Sequence, residues 1–548
     1  MKYIGHRIFI LILVAASVFA QTSSYPTESY GDQLVIGLLR QPEFDLNPFN
    51  IHSPAEQDII HFIFGGGLIQ QPGKFAAPPS LIDRFIFIPG GQNNRYWRLV
   101  LKRNIIFHNN DDMRNVDVKF TFNFLKKYGG SILNRRIDFR NIAEIRIHGD
   151  LELMFVLHRP DRNFERKFSD IPILPSKYYA EALEKGFNIF AEKPPVGIGP
   201  FAFLSRNPNM IQLVTHSRYY NGRPFLDGVQ IRFFDDEQQI VDGLVNGDID
   251  YAELPDLPTA ERIHEILGNR ILLFTVPRTY RKVYFILLNT RSFPFESKAT
   301  RAALESVINK QLIVNRLLPN IGGIAQTLIP PDNEYYFKEA FKNQFNPQRA
   351  TVLLQQDGWQ LNQKSGLLER DGKPFRFRLI FARNSPLEES IARTLKITLG
   401  ELNIDLVPVP VNHLNKDQII QNGDFQAILC SYEFDDQDLF QAIDHFYFHT
   451  LRGNVQNVNY RNRFLDKMFT IAYRDPGIYP QLFKRFQFYI RRDHPAIFLF
   501  FHDRIIIAVD SRFHNIRTTF KKGDQFYYRL QPLENWFVPK ELQKYHLQ

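Results

Sequence analysis

The sequence predicts an α/β fold in several units, and three observations predict it. Strand-like and helix-like patterns alternate along the chain without a short-period repeat or a low-complexity tract. The chain has 548 residues, which at roughly 150 residues per domain suggests three or four folding units. Hydrophobic residues make up 44%, with 51 Phe and 23 Tyr, so there is ample apolar surface for sizeable cores and global disorder is excluded.

Each element has its own justification. Leu34-Val35-Ile36-Gly37-Leu38 is a short apolar strand, and Tyr96 to Leu101 alternates on a period of two. Asp117 to Tyr128 carries Val118, Phe122 and Leu125 at helical spacing, and Lys298 to Leu318 sets Ala302, Ala303, Val307, Ile308 and Leu312 on one side, predicting one long helix. Pro and Gly gather at Glu192 to Pro200, a stiff turn where helix cannot continue. Two further punctuation points, Thr275 to Arg278 and Asp493 to Pro495, flank strand-like runs. These three places are the candidate crossings between structural units.

Composition excludes several function classes. A single cysteine, Cys430, rules out an internal disulfide framework, a thiolate zinc cluster and an iron–sulfur site, and reads as a buried small hydrophobe. The formal charge of +9 comes from 67 basic and 58 acidic residues mixed along the chain, without the concentrated block of a nucleic-acid arm; no nucleic-acid partner is expected. Residues 1–20 read as a cleavable signal peptide. Lys2, His6 and Arg7 precede an apolar run from Ile8 to Phe19 that closes on Val18-Phe19-Ala20. That run is too short to span a bilayer comfortably, and no cysteine near the cut is available for a lipid anchor. An exported protein beginning at Gln21 is expected.

The order of further segments resembles one family. Phe64-Gly65-Gly66-Gly67-Leu68, Trp97-Arg98-Leu99 with Ile106-Phe107-His108, and Asn115 to Phe122 come first. Pro195-Val196-Gly197-Ile198-Gly199-Pro200-Phe201 follows, and looks like a Pro-Val-Gly-Thr-Gly-Pro-Tyr segment. Arg218 to Asp227, Leu244 to Asp250, and Asn289-Thr290 through Arg301-Ala302-Ala303-Leu304 to Ile308-Asn309-Lys310 complete the series. Together and collinear, they are similar to the extracytoplasmic solute-binding proteins of the oligopeptide- and dipeptide-binding type, family 5, which serve ABC importers.

The resemblance implies a two-lobed periplasmic-binding-protein-like fold, type II, cluster C, with an extra subdomain in the large lobe. In this numbering the large lobe is residues 21–277 plus 506–548, with the extra subdomain at about 51–190, and the small lobe is 278–505. Function is implied accordingly: a non-enzymatic, periplasmic monomer that captures a peptide or similar small polar solute in the interlobe cleft and delivers it to an ABC-type permease, with no cofactor. The same fold leaves open an oligosaccharide, a metal chelate or haem as ligand, and a sensor or chaperone-like role. A secreted hydrolase would need a nucleophile–base pair or a metal in the cleft.

Site residues follow from the same resemblance. Ser431 to Phe440 resembles an Ala-Asp-Tyr-x-Asp-Pro-x-x-Phe stretch, which places Glu433 where peptide binders carry an acid that pairs with the ligand's α-ammonium group. Cys430 stands where a Trp is often found, and Gln437 replaces the Pro. The residues themselves leave Glu433 open as a ligand contact, a solvated loop carboxylate or half of an internal salt bridge. Arg383, in a turn after a strand, is a bidentate candidate for a carboxylate or a surface arginine. Tyr432, Phe434 and Asn289 line the cleft by position, against a bland reading as core.

Catalytic and metal motifs are weaker. His445 and His449 stand four apart, a spacing that on a helix faces both imidazoles one way, but aromatics fill the interval and a packed helix is favoured over a metal site. Asp435-Asp436-Gln437-Asp438 lacks the glycine and final Glu of a calcium loop. The chain contains no Gly-Lys-Ser/Thr phosphate loop, dinucleotide fingerprint or Gly-x-Ser-x-Gly elbow.

Overall fold

The computed structural model describes residues 29–40, 45–69, 80–86, 95–132, 135–137, 139–161, 164, 168, 171–278, 281–319, 322–338, 345–434, 439–453, 459–516 and 533–545. Residues 1–20, the expected signal peptide, and Asp435 to Asp438 lie outside the described residues.

Two large sheets organise the chain. The first has seven strands in the order Ile271–Pro277, Arg504–Asp510, Tyr251–Leu254, Gln33–Leu39, Gly228–Phe234, Met210–Thr215, Phe201–Asn207. Gln33–Leu39 is its centre, running parallel to both Gly228–Phe234 and Tyr251–Leu254. Its near-continuous apolar run suits a strand covered on both faces: Leu34 and Ile36 enter the core shared with the extra subdomain, and Val35 the core on the opposite side. The second sheet has six strands in the order Gly322–Ile324, Ala496–His502, Arg281–Leu288, Ala427–Phe434, Arg376–Ala382, Asp405–Val411. Here too both faces carry core, so the side chains of Arg281–Leu288 divide between two clusters.

The chain passes between the sheets twice. The first passage follows Pro277, and the second is at Asp503, between Ala496–His502 and Arg504–Asp510. Arg504 and Ile505 already pair with Pro277 and Val276, so the return is complete a residue or two before the expected 505/506 boundary. Arg278 N donates to Asp503 O at 3.0 Å, tying the passages to each other. Two other punctuation points have different roles. Asp493-His494-Pro495 ends the helix Tyr479–Asp493 inside the small lobe, where His494 adopts a left-handed cap at φ 46°. Glu192 to Pro200 leads from the extra subdomain back to the large sheet at Phe201.

That return explains its glycines. Gly199 N donates to Ile63 O at 2.9 Å, and Gly197 O accepts from His108 N at 2.9 Å, so the segment runs flush against the end of the helix Pro54–Phe64. A Cβ on Gly199 would stand 2.3 Å from Phe62 O, and one on Gly197 2.3 Å from Ile63 O; both obstacles are backbone. The extra subdomain holds a four-stranded sheet, Ile82–Ile86, Tyr96–Leu101, Glu152–Leu157 and Ile142–His148, against the helix Asn115–Tyr128. Phe122, Phe155, Phe164 and Phe168 pack there edge-on and tilted, at centroid distances of 4.9 to 5.9 Å.

The expected long helix at Lys298 to Leu318 is two, Lys298–Val307 and Lys310–Leu317. Asn309 interrupts it by accepting from Leu312 N at 3.0 Å, starting a fresh helix with a capped N-terminus. Cys430 is buried as expected.

Gly199→Ala should cost at least about 2 kcal/mol in a urea melt, because the added methyl meets main chain that cannot step aside. An unchanged midpoint would show that the return segment tolerates a Cβ.

Candidate functional site

The period of two along Ala427–Phe434 decides which side chains face the large lobe. Cys430, Tyr432 and Phe434 belong to the small-lobe core built with the helices Arg463–Ala472 and Tyr479–Asp493. Leu429 enters the opposite cluster, which also holds Val35, Ala252 and Leu254 of the large lobe. Ser431 and Glu433 fall on that same side. Glu433 lies opposite Lys282 in the ladder, with Nζ at 3.4 Å, and Nη1 of Arg278 is 3.3 Å away. The carboxylate therefore stands at the first passage, its side chain 23% exposed. His502, 1% exposed, closes the last strand before the second passage. Arg281 binds Asp503 at 3.0 Å and Asp332 at 2.5 Å.

A second junction forms at the carboxyl ends of the parallel strands, the place where open α/β sheets present their ligand crevices. His413 Nε2 donates to Arg40 O at 2.8 Å. Asn384 Nδ2 donates to Asp236 Oδ2 at 2.8 Å, and Ser385 Oγ donates to Glu237 Oε2 at 2.7 Å. Two helix starts meet here, since Asp236 caps Glu237–Asn246 and Ser385 caps Pro386–Gly400. Glu388, behind Ser385, is held by Lys416 at 2.8 Å. A third contact brings Leu439–His445 of the small lobe to Arg135–Ile137 of the extra subdomain.

The sequence-predicted residues divide accordingly. Glu433 reaches the lobe junction. Arg383 is exposed in the turn beside Asn384 and Ser385, its main-chain N donating to Val411 O at 2.6 Å. Tyr432 donates to Ala442 O at 3.1 Å and stacks on Phe434 and His445 at 5.7 and 5.8 Å. Phe434 is fully buried in the same cluster. Asn289 donates to Gly423 O at 3.1 Å and Phe425 O at 2.8 Å, fixing the end of its own strand. His445 and His449 stack at 4.6 Å, and burial, with His449 and His52 nearby, lowers His445 to about 4. Among the described residues no group of three or more His, Cys, Asp or Glu is placed to hold a metal, and no helix is long and apolar enough to cross a membrane.

Sequence reasoning missed Arg278, Lys282, His502 and the Asp236/Glu237–Asn384/Ser385 contact. A signal existed for the last: Ser385-Pro386-Leu387-Glu388 reads as a capped helix start, and so does Asp236 before Glu237.

Two lobes meeting through charged side chains at strand ends match a known architecture. A family model described as bacterial extracellular solute-binding proteins, family 5 middle, matches residues 91–454. The chain belongs to that family. Among curated relatives, the oligopeptide-binding protein AppA of Bacillus subtilis (strain 168) is 26% identical over 490 residues, 86% of each chain. The solved structure of B. subtilis AppA in complex with a nonapeptide matches with a TM-score of 0.68 at 23% identity, covering 93% of this chain and 99% of that one. NikZ from Campylobacter jejuni in complex with Ni(L-His) gives 0.69 at 18% identity, over 94% and 100%. These likenesses show that this family 5 protein shares their two-lobed fold.

Glu237 makes the junction of this family 5 protein sensitive to protons. Burial raises its carboxyl to about 7; Ser385 and Lys282 pull it down, and Glu388 and Asp256 push it further up. The folded protein thus holds this proton more tightly than the unfolded chain, whose Glu has a value near 4.5. The contribution to stability is fully present below that value and is lost as pH rises to about 7. Between those limits the wild type should lose more Tm per pH unit than Glu237→Gln; equal slopes would place Glu237 in solvent.

Proposed function

We propose that this family 5 protein captures a peptide or a similar small polar solute between its lobes, outside the cytoplasmic membrane, and delivers it chemically unaltered to an ABC-type permease. Family membership gives the class. The carrying observation is Glu433, Arg278 and Lys282 gathered at the passage between lobes, where a bound solute touches both and so favours the closed population by its differential affinity. The name and the nonapeptide of the Bacillus relative favour a peptide as the solute.

Glu433 is the proposed contact for a ligand amine, and Arg383, exposed beside the second junction, for a carboxylate at the far end. An amine at Glu433 competes with two resident cations, so the contact discriminates by position as well as charge. A second reading rests on those same cations. They suit an anionic chelate, and the Campylobacter neighbour holds nickel with histidine. The protein acts as a monomer in this proposal and carries no cofactor.

Native mass spectrometry of gently purified protein tests the proposal: co-purifying peptides support it, and a metal complex supports the second reading. Glu433→Gln should weaken an amine-bearing peptide by about thirtyfold or more, corresponding to about 2 kcal/mol for stranding one member of a buried pair. Unchanged affinity would remove Glu433 from the contact set. Turnover of the bound peptide would replace capture with catalysis.

A further inference from the structure

The passage between lobes contains more buried donors than its own side chains satisfy. Both ring nitrogens of His502 are buried without a hydrogen-bond partner, and so is Nε of Arg278. His502 is 1% exposed and the Arg278 side chain 10%. Buried polar atoms in folded proteins almost always find a partner in protein, water or ligand, so three together at one place require an explanation.

Location narrows the explanation. Strand alternation puts Lys282, Tyr284 and Glu433 on one face of the small-lobe sheet, and the Tyr284 ring lies 6.2 Å from that of His502. Arg278 comes in from the neighbouring passage, 3.3 Å from Glu433. The unpartnered atoms thus belong to the surface that turns toward the large lobe, next to the one sequence-predicted acid that reaches it.

Charge narrows it further. Arg278 and Lys282 both lean on Glu433, at 3.3 and 3.4 Å, longer than the 2.7–2.9 Å typical of a tight charge-assisted bond. The other carboxylates nearby are committed or weakened. Asp503 binds Arg281 at 3.0 Å, and burial raises its carboxyl; Glu237 accepts from Ser385 and is raised to about 7. Burial and the two cations hold His502 well below its ordinary range, so its ring is neutral, with one N–H to donate. Once these pairs are made, Nε of Arg278 and the ring of His502 are left over.

We propose that Arg278, Lys282 and His502 form a subsite for an anionic group of the captured solute, a carboxylate in the case of a peptide. The group accepts from Arg278 Nε and from the N–H of the His502 ring, the buried atoms that lack a partner. It bears on the two passages themselves, one of which carries Arg278 and the other of which follows His502, so an anion here bridges both crossings and favours the closed arrangement. The subsite deepens the solute-capture reading and rests on it. An acid group is then a requirement for tight binding, whereas side chains elsewhere on the solute are free to vary.

The full chain is dialysed against a tryptic digest of casein, and separately against the same digest after methyl esterification of its carboxyl groups; retained peptides are counted by native mass spectrometry. The wild type should retain the free-acid digest at least tenfold better than the ester. Arg278→Gln should lose that preference and Arg278→Lys should keep part of it, with thermal melts confirming that each is folded. Equal retention of acid and ester by the wild type overturns the subsite and leaves peptide capture standing, as does a preference that survives in Arg278→Gln. Retention of neither digest overturns the peptide reading on which the subsite rests.

Discussion

A two-stranded antiparallel ribbon holds the molecule together. Ile271–Pro277 pairs with Arg504–Asp510 in the large sheet, Arg281–Leu288 pairs with Ala496–His502 in the small one, and the Arg278–Asp503 hydrogen bond joins the two ladders. Ladder bonds resist sliding of one strand past the other, while a few dihedral angles at the passage can change without breaking them. Any relative movement of the lobes therefore has to pass through this ribbon. Four polar groups of the first junction are fixed relative to the ribbon's midpoint: Arg278 on it, Lys282 just beyond, His502 just before the return, and Glu433 one strand across.

The alternation of strand side chains is the second constraint. Three adjacent residues, Tyr432, Glu433 and Phe434, resemble a cleft-lining stretch, yet a pleated strand cannot turn all three the same way. The small lobe requires apolar groups against its helices, so the two aromatics go there and the carboxylate faces the large lobe. The residue whose burial would be most expensive is the one directed to the junction.

Much of this was legible in the sequence because it is local. Apolar periodicity located Gln33–Leu39, Tyr96–Leu101 and Asn115–Tyr128 to within two residues, and the Pro and Gly gathered at Glu192 to Pro200 marked a stiff turn where helix cannot continue. The break at Asn309 was also local, an N-cap hidden by an apolar stripe that continues across it. Partners of the site residues were not legible. Glu433 and Arg278 are separated by 155 residues, Ser385 and Glu237 by 148, and His413 and Arg40 by 373. No pattern within either member of such a pair names the other; only the folded sheets bring them together.

Arg512 illustrates what the topology demands of the chain in time. Its guanidinium is buried between Asp32 and Asp250, at 3.3 and 2.6 Å, and Lys544 and Tyr545 donate main-chain N–H groups to Asp32. The strand just before it, Arg504–Asp510, is interior to the large sheet, flanked on both sides by strands some 230 to 260 residues earlier. The small lobe is thus an insertion that has all its strands before the large lobe has all of its own. A polypeptide delivered start-first finishes the inner unit while the outer one still lacks a middle strand, so the half that was begun first is the half completed last.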